Sequence, residues 1–236
     1  MLYEFTIIIP VYNEEENLKR LETTLVNYLK IASKKTTVLF INDGSTDASQ
    51  QLLEDICANN AAFTFLQFEK NGGLSAAIAA GFKYTDTELV GYMDADLQTA
   101  PEDFNLLLAE IGNYDLVTGV RANRKDSLVK KISSTIANKI RRAFTLDGMD
   151  DTGCPLKVIK TDFAKNIPMF KGLHRFLPAM ILLQNGSILQ IPIQHFPRIA
   201  GKSKYGLWNR LLRPLIACFI YVWMRKNYIQ YKIVNK

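Results

Sequence analysis

Cysteine is scarce in this chain. Cys57, Cys154 and Cys218 are odd in number and far apart. They make neither a disulfide framework nor a zinc-ligand spacing, and a reducing cytoplasm is the simplest compartment. Histidine is scarcer still. His174 and His195 are the only two; each is expected to be structural, with His195 near enough to Arg198 in sequence to touch a phosphate. There is no G-x-x-x-x-G-K-[ST], which excludes a P-loop, and no G-x-G-x-x-G, which excludes a dinucleotide fingerprint. Asn71-Gly72-Gly73 is too short to replace either. The start, Met1-Leu2-Tyr3-Glu4, has no basic n-region or cleavage site, so no signal peptide is expected. Repeats, low-complexity tracts and linkers are missing.

Acid is missing from one end. All 23 acidic residues lie at or before Asp162, with 17 of the 29 Lys and Arg, so residues 1–162 carry −6 and the last 74 residues carry +12. That asymmetry predicts a basic surface facing phosphates. The basic stretches lack the interleaved aromatics of single-strand platforms, so nucleic acid is not the expected partner. Long apolar runs are also missing. Leu215 to Met224 is uncharged but only ten residues long; as a helix it rises about 15 Å, half of a hydrocarbon core of about 30 Å. With Tyr221, Trp223 and Tyr228 beside Arg210, Arg213, Arg225 and Lys226, it reads as an interfacial helix and not a spanning one. Docking on the core, or on a second copy in a homo-oligomer, is the alternative.

What is present is an alternation of strand and helix patterns. Apolar, β-branched runs at Phe5–Pro10, Val38–Ile41, Phe63–Phe68, Leu89–Met93 and Asp115–Gly119 read as strands. Helices are expected over Glu15–Leu29, capped by Asn13 or a neighbour, and over Ala48–Cys57, Ala76–Tyr84 and Pro101–Ile111. Beyond them the pattern predicts an amphipathic helix within Arg121–Arg142, a strand at Pro155–Ile159, a helix at Phe176–Leu183, a strand at Ile188–Phe196 and a helix from Leu207. Such alternation makes an α/β fold with a doubly wound, mostly parallel sheet.

Ligands of such sheets bind outside the carboxyl ends of the strands. Tyr12, Glu14, Asp43, Asp94 and Asp96 all fall there. Asp94-Ala95-Asp96 places two carboxylates at one strand end, an arrangement that is costly unless a cation lies between them. Mg²⁺ or Mn²⁺ held there by Asp94 or Asp96, with Asp96 the favoured direct contact, would bridge a diphosphate, while the basic residues take the remaining phosphate charge.

The chain resembles family 2 glycosyltransferases of the GT-A fold, in the polyprenyl-phosphate branch that includes dolichol-phosphate mannose synthases and undecaprenyl-phosphate sugar transferases. The matching residues are Pro10-Val11-Tyr12-Asn13-Glu14, Asn42-Asp43-Gly44-Ser45-Thr46-Asp47, Asn71-Gly72-Gly73 and Asp94-Ala95-Asp96-Leu97-Gln98. Later come Gly119-Val120-Arg121 with Arg124 and Asp126-Ser127, Asp151-Thr152-Gly153-Cys154, and Arg198 with Gly201-Lys202-Ser203-Lys204-Tyr205. The resemblance implies a GT-A domain over 1–206; residues 207–236 are the basic, apolar helix read above from the residues themselves.

It further implies that Pro10, Tyr12, Glu14 and Asp43 hold the nucleotide. Met93, Asp94, Ala95 and Gln98 would complete the nucleotide-sugar site, and Asp94 and Asp96 the metal site. Arg121, Arg198 and Lys204 would bind phosphates. The catalytic set is then Asp96, Asp151 and Arg121, with Asp151 either positioning the acceptor or removing a proton. The implied reaction is an inverting sugar transfer from a nucleotide sugar, UDP-linked in preference to GDP-linked, to a polyprenyl phosphate on the cytoplasmic membrane face. Relatives carrying two or four C-terminal spanning helices differ from this chain, so a peripheral or monotopic enzyme is expected. The competing readings are a transferase acting on a saccharide or glycolipid in cell-surface polysaccharide synthesis, and a non-catalytic basic membrane-binding module.

Overall fold

The computed structural model describes residues 2–121, 139, 141–197 and 207–229, and only the backbone of 207–215. Seven strands form one sheet: β1 Phe5–Val11, β2 Thr36–Asn42, β3 Phe63–Gln67, β4 Leu89–Tyr92, β5 Leu116–Arg121, β6 Lys157–Lys160 and β7 Ile188–Ile193. Their order is β3-β2-β1-β4-β6-β5-β7. Every neighbouring pair is parallel except the two that β6 makes, with β4 and with β5. The reversal matters for the site. Six strands end at one edge, and the loop that enters β6 arrives at that same edge.

Side chains alternate across the sheet, and both faces are covered. Phe5, Ile7, Ile9, Val38 and Phe40 pack against α1 (Glu15–Ile31), α2 (Ser49–Asn59) and α4 (Phe104–Glu110). Ile8, Leu39, Ile41, Val90 and Tyr92 pack against α3 (Leu74–Tyr84), α6 (Leu177–Leu183) and α7 (Leu207–Asn227). Between the last two groups a short helix, α5 (Thr161–Lys165), turns the chain out of β6. The sequence pattern gave no sign of α5, because five residues are too few to show a helical period.

Two local expectations are corrected. Asn13 does not cap α1: Asn13 is in the left-handed region at φ 51°, Glu14 occupies the cap position, and no side chain of the helix's own start serves as cap. The partner is instead Asp47 of the next loop, which accepts the Glu15 amide at 3.2 Å. Helix α3 starts two residues early, at Leu74, because Gly73 takes φ 88° and turns the chain directly into it. The expected helix within Arg121–Arg142 lies mostly outside the described residues, of which 141–145 are helical.

Helix α7 docks through Ala217, Cys218 and Tyr221, each buried. Tyr221 stacks on Phe176 with ring centroids 6.2 Å apart, and its hydroxyl donates to the Ala179 carbonyl at 3.4 Å. Its other side leaves Ile216, Phe219, Ile220 and Trp223 exposed. Those positions follow the i, i+3, i+4, i+7 spacing of a single helical stripe. No helix among the described residues is long and apolar enough to cross a membrane.

Candidate functional site

The loops after β1 and β2 are stitched to one another. The Asn13 amide donates to Ser45 Oγ at 3.0 Å, the Thr46 amide to Asn13 Oδ1 at 2.8 Å, and the Glu14 amide to Ser49 Oγ at 2.9 Å. The Ala48 amide donates to Glu15 Oε2 at 2.8 Å. Tyr12 and Glu14 are half-buried on this platform, and Glu14 Oε2 accepts from Asn17 Nδ2 at 2.7 Å.

Asp43 is buried beside them and is held by the loop that opens α3. Its Oδ1 accepts the Gly72 amide at 2.6 Å, and its Oδ2 accepts the Gly73 amide at 2.9 Å and Asn71 Nδ2 at 3.0 Å. Burial pushes the carboxyl upward, and the two glycine amides oppose it. Asn71-Gly72-Gly73 thus has a role without being a phosphate loop: it fixes a carboxylate. Gly44 makes the approach feasible, since a Cβ there would sit 2.5 Å from the Lys70 carbonyl carbon, and its φ is +66°.

Strand β4 ends at Tyr92, so Asp94 and Asp96 sit in the loop beyond it and not on one strand face. Met93 and Ala95 are buried in the core, which leaves their backbone to meet any ligand. Asp96 is buried; its Oδ1 accepts the Gln98 amide at 3.2 Å, and Arg20 of α1 donates to its carbonyl at 3.2 Å. Gln98 ties this loop to the chain leaving β7, for the Phe196 amide donates to the Gln98 carbonyl at 2.9 Å. Arg198 and Lys204, further along that chain, lie outside the described residues. Among the described residues no three His, Cys, Asp or Glu converge on a metal-sized point. Two acids at one strand end fit a hard cation that takes its other ligands from phosphate.

Arg121 closes β5, and Asp151 lies in the loop entering β6. They form a two-point ion pair, Nε to Oδ2 at 2.7 Å and Nη2 to Oδ1 at 2.9 Å. The Gly153 amide adds a bond to Oδ1 at 3.1 Å. A Cβ on Gly153 would sit 2.9 Å from Arg121 Nη2, so a side chain there would press on the guanidinium that lies over this turn. With both oxygens so engaged, Asp151 positions Arg121.

Beneath the pair is Lys157, fully buried in register with Tyr92 and Thr118. Its Nζ donates to the carbonyls of Cys154 and Thr152 and lies 5.4 Å from the Tyr92 ring centroid. Burial pulls the ammonium pKa down, while Cys154, Asp151 and Asp94 hold it up. Lys157 is visible in the sequence as a lysine inside the apolar run Pro155–Ile159, a signal that none of the expected site residues uses. His174, expected to be structural, is bonded to Ser75, and with Arg175 it lines a cavity of about 140 Å³ beside Asp94, Thr152 and Gly153.

Residues 6–167, well over half of the chain, match the family model described as Glycosyl transferase family 2. The chain belongs to that family. Solved structures agree with the assignment at the level of fold. Glucosyl-3-phosphoglycerate synthase from Mycobacterium tuberculosis, with Mn²⁺, UDP and glucosyl-3-phosphoglycerate, is similar at a TM-score of 0.71 and 13% identity, over 97% of this chain and 81% of that one. The mannosyltransferase PcManGT from Pyrobaculum calidifontis, with GDP-Man and Mn²⁺, gives 0.67 and 16%, over 98% and 66%. S. aureus TarS 1–349 with UDP-GlcNAc gives 0.62 and 19%, over 92% and 66%. The family 2 match takes in β1 to β6 and hence Tyr12, Asp43, Asp94, Asp96, Arg121 and Asp151; β7 and α7 lie beyond it.

Proposed function

We propose that this family 2 glycosyltransferase moves a sugar from a nucleoside diphosphate donor, UDP-linked in preference to GDP-linked, to a polyprenyl phosphate at the cytoplasmic face of a membrane, with inversion at the anomeric carbon. One observation carries the donor part: Asp43, held by three hydrogen-bond donors, and the Asp94–Asp96 loop lie at the ends of β2 and β4, on either side of β1. A nucleoside laid over Tyr12 would reach Asp43 with its base and the acids with its diphosphate. The Mn²⁺ in two of the similar structures supports a divalent cation here. Bound Mg²⁺ or Mn²⁺ would neutralise the departing diphosphate, with Asp96 as its direct ligand and Asp94 and Gln98 beside it.

The acceptor phosphate is already ionised at neutral pH. One of its oxygens forms the new bond to the anomeric carbon as the bond to the nucleoside diphosphate breaks, so no strong base is needed. Arg121, steadied by Asp151, would hold a phosphate at the centre, with Arg198 and Lys204 as further phosphate ligands. Support for a lipid acceptor comes from the exposed stripe Ile216, Phe219, Ile220 and Trp223 on α7, next to Arg225 and Lys226. That stripe would lie in the membrane interface, making residues 207–236 a peripheral anchor for the catalytic residues 1–206.

The test is transfer of radiolabelled sugar from UDP- and GDP-sugars, with Mg²⁺ or Mn²⁺, into solvent-extractable polyprenyl phosphate. Label should enter the lipid fraction, and Asp96→Asn should abolish it while melting as the wild type does. Label entering only soluble saccharides would remove the lipid acceptor and leave the donor reading in place.

A further inference from the structure

The cavity beside Asp94 is walled by Tyr92 and Pro155 and edged by Asp94, Thr152, His174 and Arg175. At about 140 Å³ it is well under the roughly 300 Å³ at which drug-sized pockets begin. It suits one compact polar ring and not a whole nucleotide.

The state of His174 follows from its neighbours. The Gly172 amide donates to Ser75 Oγ at 3.0 Å. The Ser75 hydroxyl keeps a proton of its own, and the acceptor offered to it among the described residues is His174 Nδ1, 2.9 Å away. Nδ1 is then the acceptor, and the ring proton sits on Nε2. That nitrogen takes no partner among the described residues, and it is not among the buried polar atoms left without one, so solvent reaches it, and His174 is part of the cavity lining. Most of the ring is packed away, and burial, with Arg175 and Lys157 adding to it, pushes the pKa down to about 3. His174 is a neutral hydrogen-bond donor that shares this cavity with the carboxylate Asp94.

We propose that this cavity receives the sugar of the donor and that His174 is a specificity-determining residue, its Nε2–H donating to a sugar hydroxyl across from Asp94, with Ser75 as the positioning residue that fixes the tautomer. A hydroxylated ring is the ligand class that uses both a neutral donor and a carboxylate acceptor while laying its C–H faces on Tyr92 and Pro155. The inference rests on the nucleotide-sugar reading above and sharpens it to named residues.

Calorimetry separates the two. UDP and GDP are titrated alone, then UDP-glucose, UDP-N-acetylglucosamine and GDP-mannose, all with Mg²⁺. His174→Asn keeps an acceptor for Ser75 but withdraws the donor from the cavity; His174→Gln returns a donor near the Nε2 position. For the sugar that wild type prefers, the gain in affinity over the bare nucleotide should fall about tenfold in His174→Asn, the loss of one hydrogen bond, and stay within about threefold in His174→Gln. Affinity for bare UDP or GDP should not change.

Should His174→Asn fail to fold, Ser75→Ala carries the test: it frees the tautomer and should lower the same ratio several-fold. An unchanged ratio in a folded His174→Asn or Ser75→Ala overturns the proposal. So does an equal loss for bare nucleotide and nucleotide sugar, which marks a structural histidine. Wild type that binds no nucleotide at all removes the donor reading, and the sugar pocket with it.

Discussion

Lys157 is the residue whose place is hardest to explain without function. A buried ammonium is expensive unless its protons find partners; here two of the three go to the carbonyls of Thr152 and Cys154, and the Tyr92 ring centroid lies 5.4 Å from Nζ. Those carbonyls flank Gly153 in the turn that bears Asp151, so the lysine holds the turn that holds Arg121. Lys157→Met keeps the volume and removes the charge. Two carbonyls lose a donor, but the desolvated cation is gone as well, so the melting temperature should move by only a few degrees. Sugar transfer should drop about 10- to 100-fold, because a group displaced by about 1 Å can cost that much. A full-rate Lys157→Met would reduce the lysine to packing. Asp43, Asp94 and Asp96 were legible in the sequence because turn formers follow apolar runs at strand ends. Lys157, Ser75 and His174 were not, because their meaning depends on β6 reversing and on Gly172 reaching Ser75, 97 positions away in the chain.

At the scale of elements, periodicity gave the strands and long helices to within a few residues, and it missed what periodicity cannot carry. Direction is one such thing: nothing in Pro155–Ile159 says that β6 runs against its neighbours. Partnership is another. Helix α7 is both docked and exposed, with Tyr221 seated on Phe176 while Ile216 and Trp223 face outward. The two outward side chains contribute nothing to the core, so Ile216→Glu with Trp223→Glu should leave the melting temperature unchanged within about 0.5 kcal/mol of stability. Binding to anionic phosphatidylglycerol vesicles, measured by sedimentation, should weaken by tenfold or more, since each buried side chain of this size is worth about 1.5–3 kcal/mol. Vesicle binding that survives both changes would assign the stripe to another partner.

Across the whole molecule, acid should act in two stages. His174 titrates at an ordinary 6.5 when unfolded and is pushed down to about 3 in the fold. Between those values the unfolded chain binds the extra proton, so stability is complete above about pH 6.5 and declines as the pH falls. Asp47 and Asp115 are pushed up by burial, but hydrogen bonds from Ser49 and from Ser187 and Lys160 outweigh it and leave both below their ordinary 3.8. Their contribution is present above that value and is lost below it. Melting curves from pH 8 to pH 3 should show both stages, and His174→Asn should flatten the first alone; an unaltered first stage would put the titrating group elsewhere. The same sheet also divides labour. Residues up to Gln98 supply the three parallel ends proposed to hold the nucleotide, whereas Arg121, Asp151 and the chain leaving β7 come from beyond β4. Among the described residues β6 alone pairs with both β4 and β5 in the sheet, through the register Tyr92–Lys157–Thr118. The molecule is therefore jointed along one seam: the row Tyr92–Lys157–Thr118 ties the half proposed to hold the nucleotide to the half proposed to hold the accepting phosphate, so a substitution that shifts β6 moves one relative to the other while each keeps its own loops.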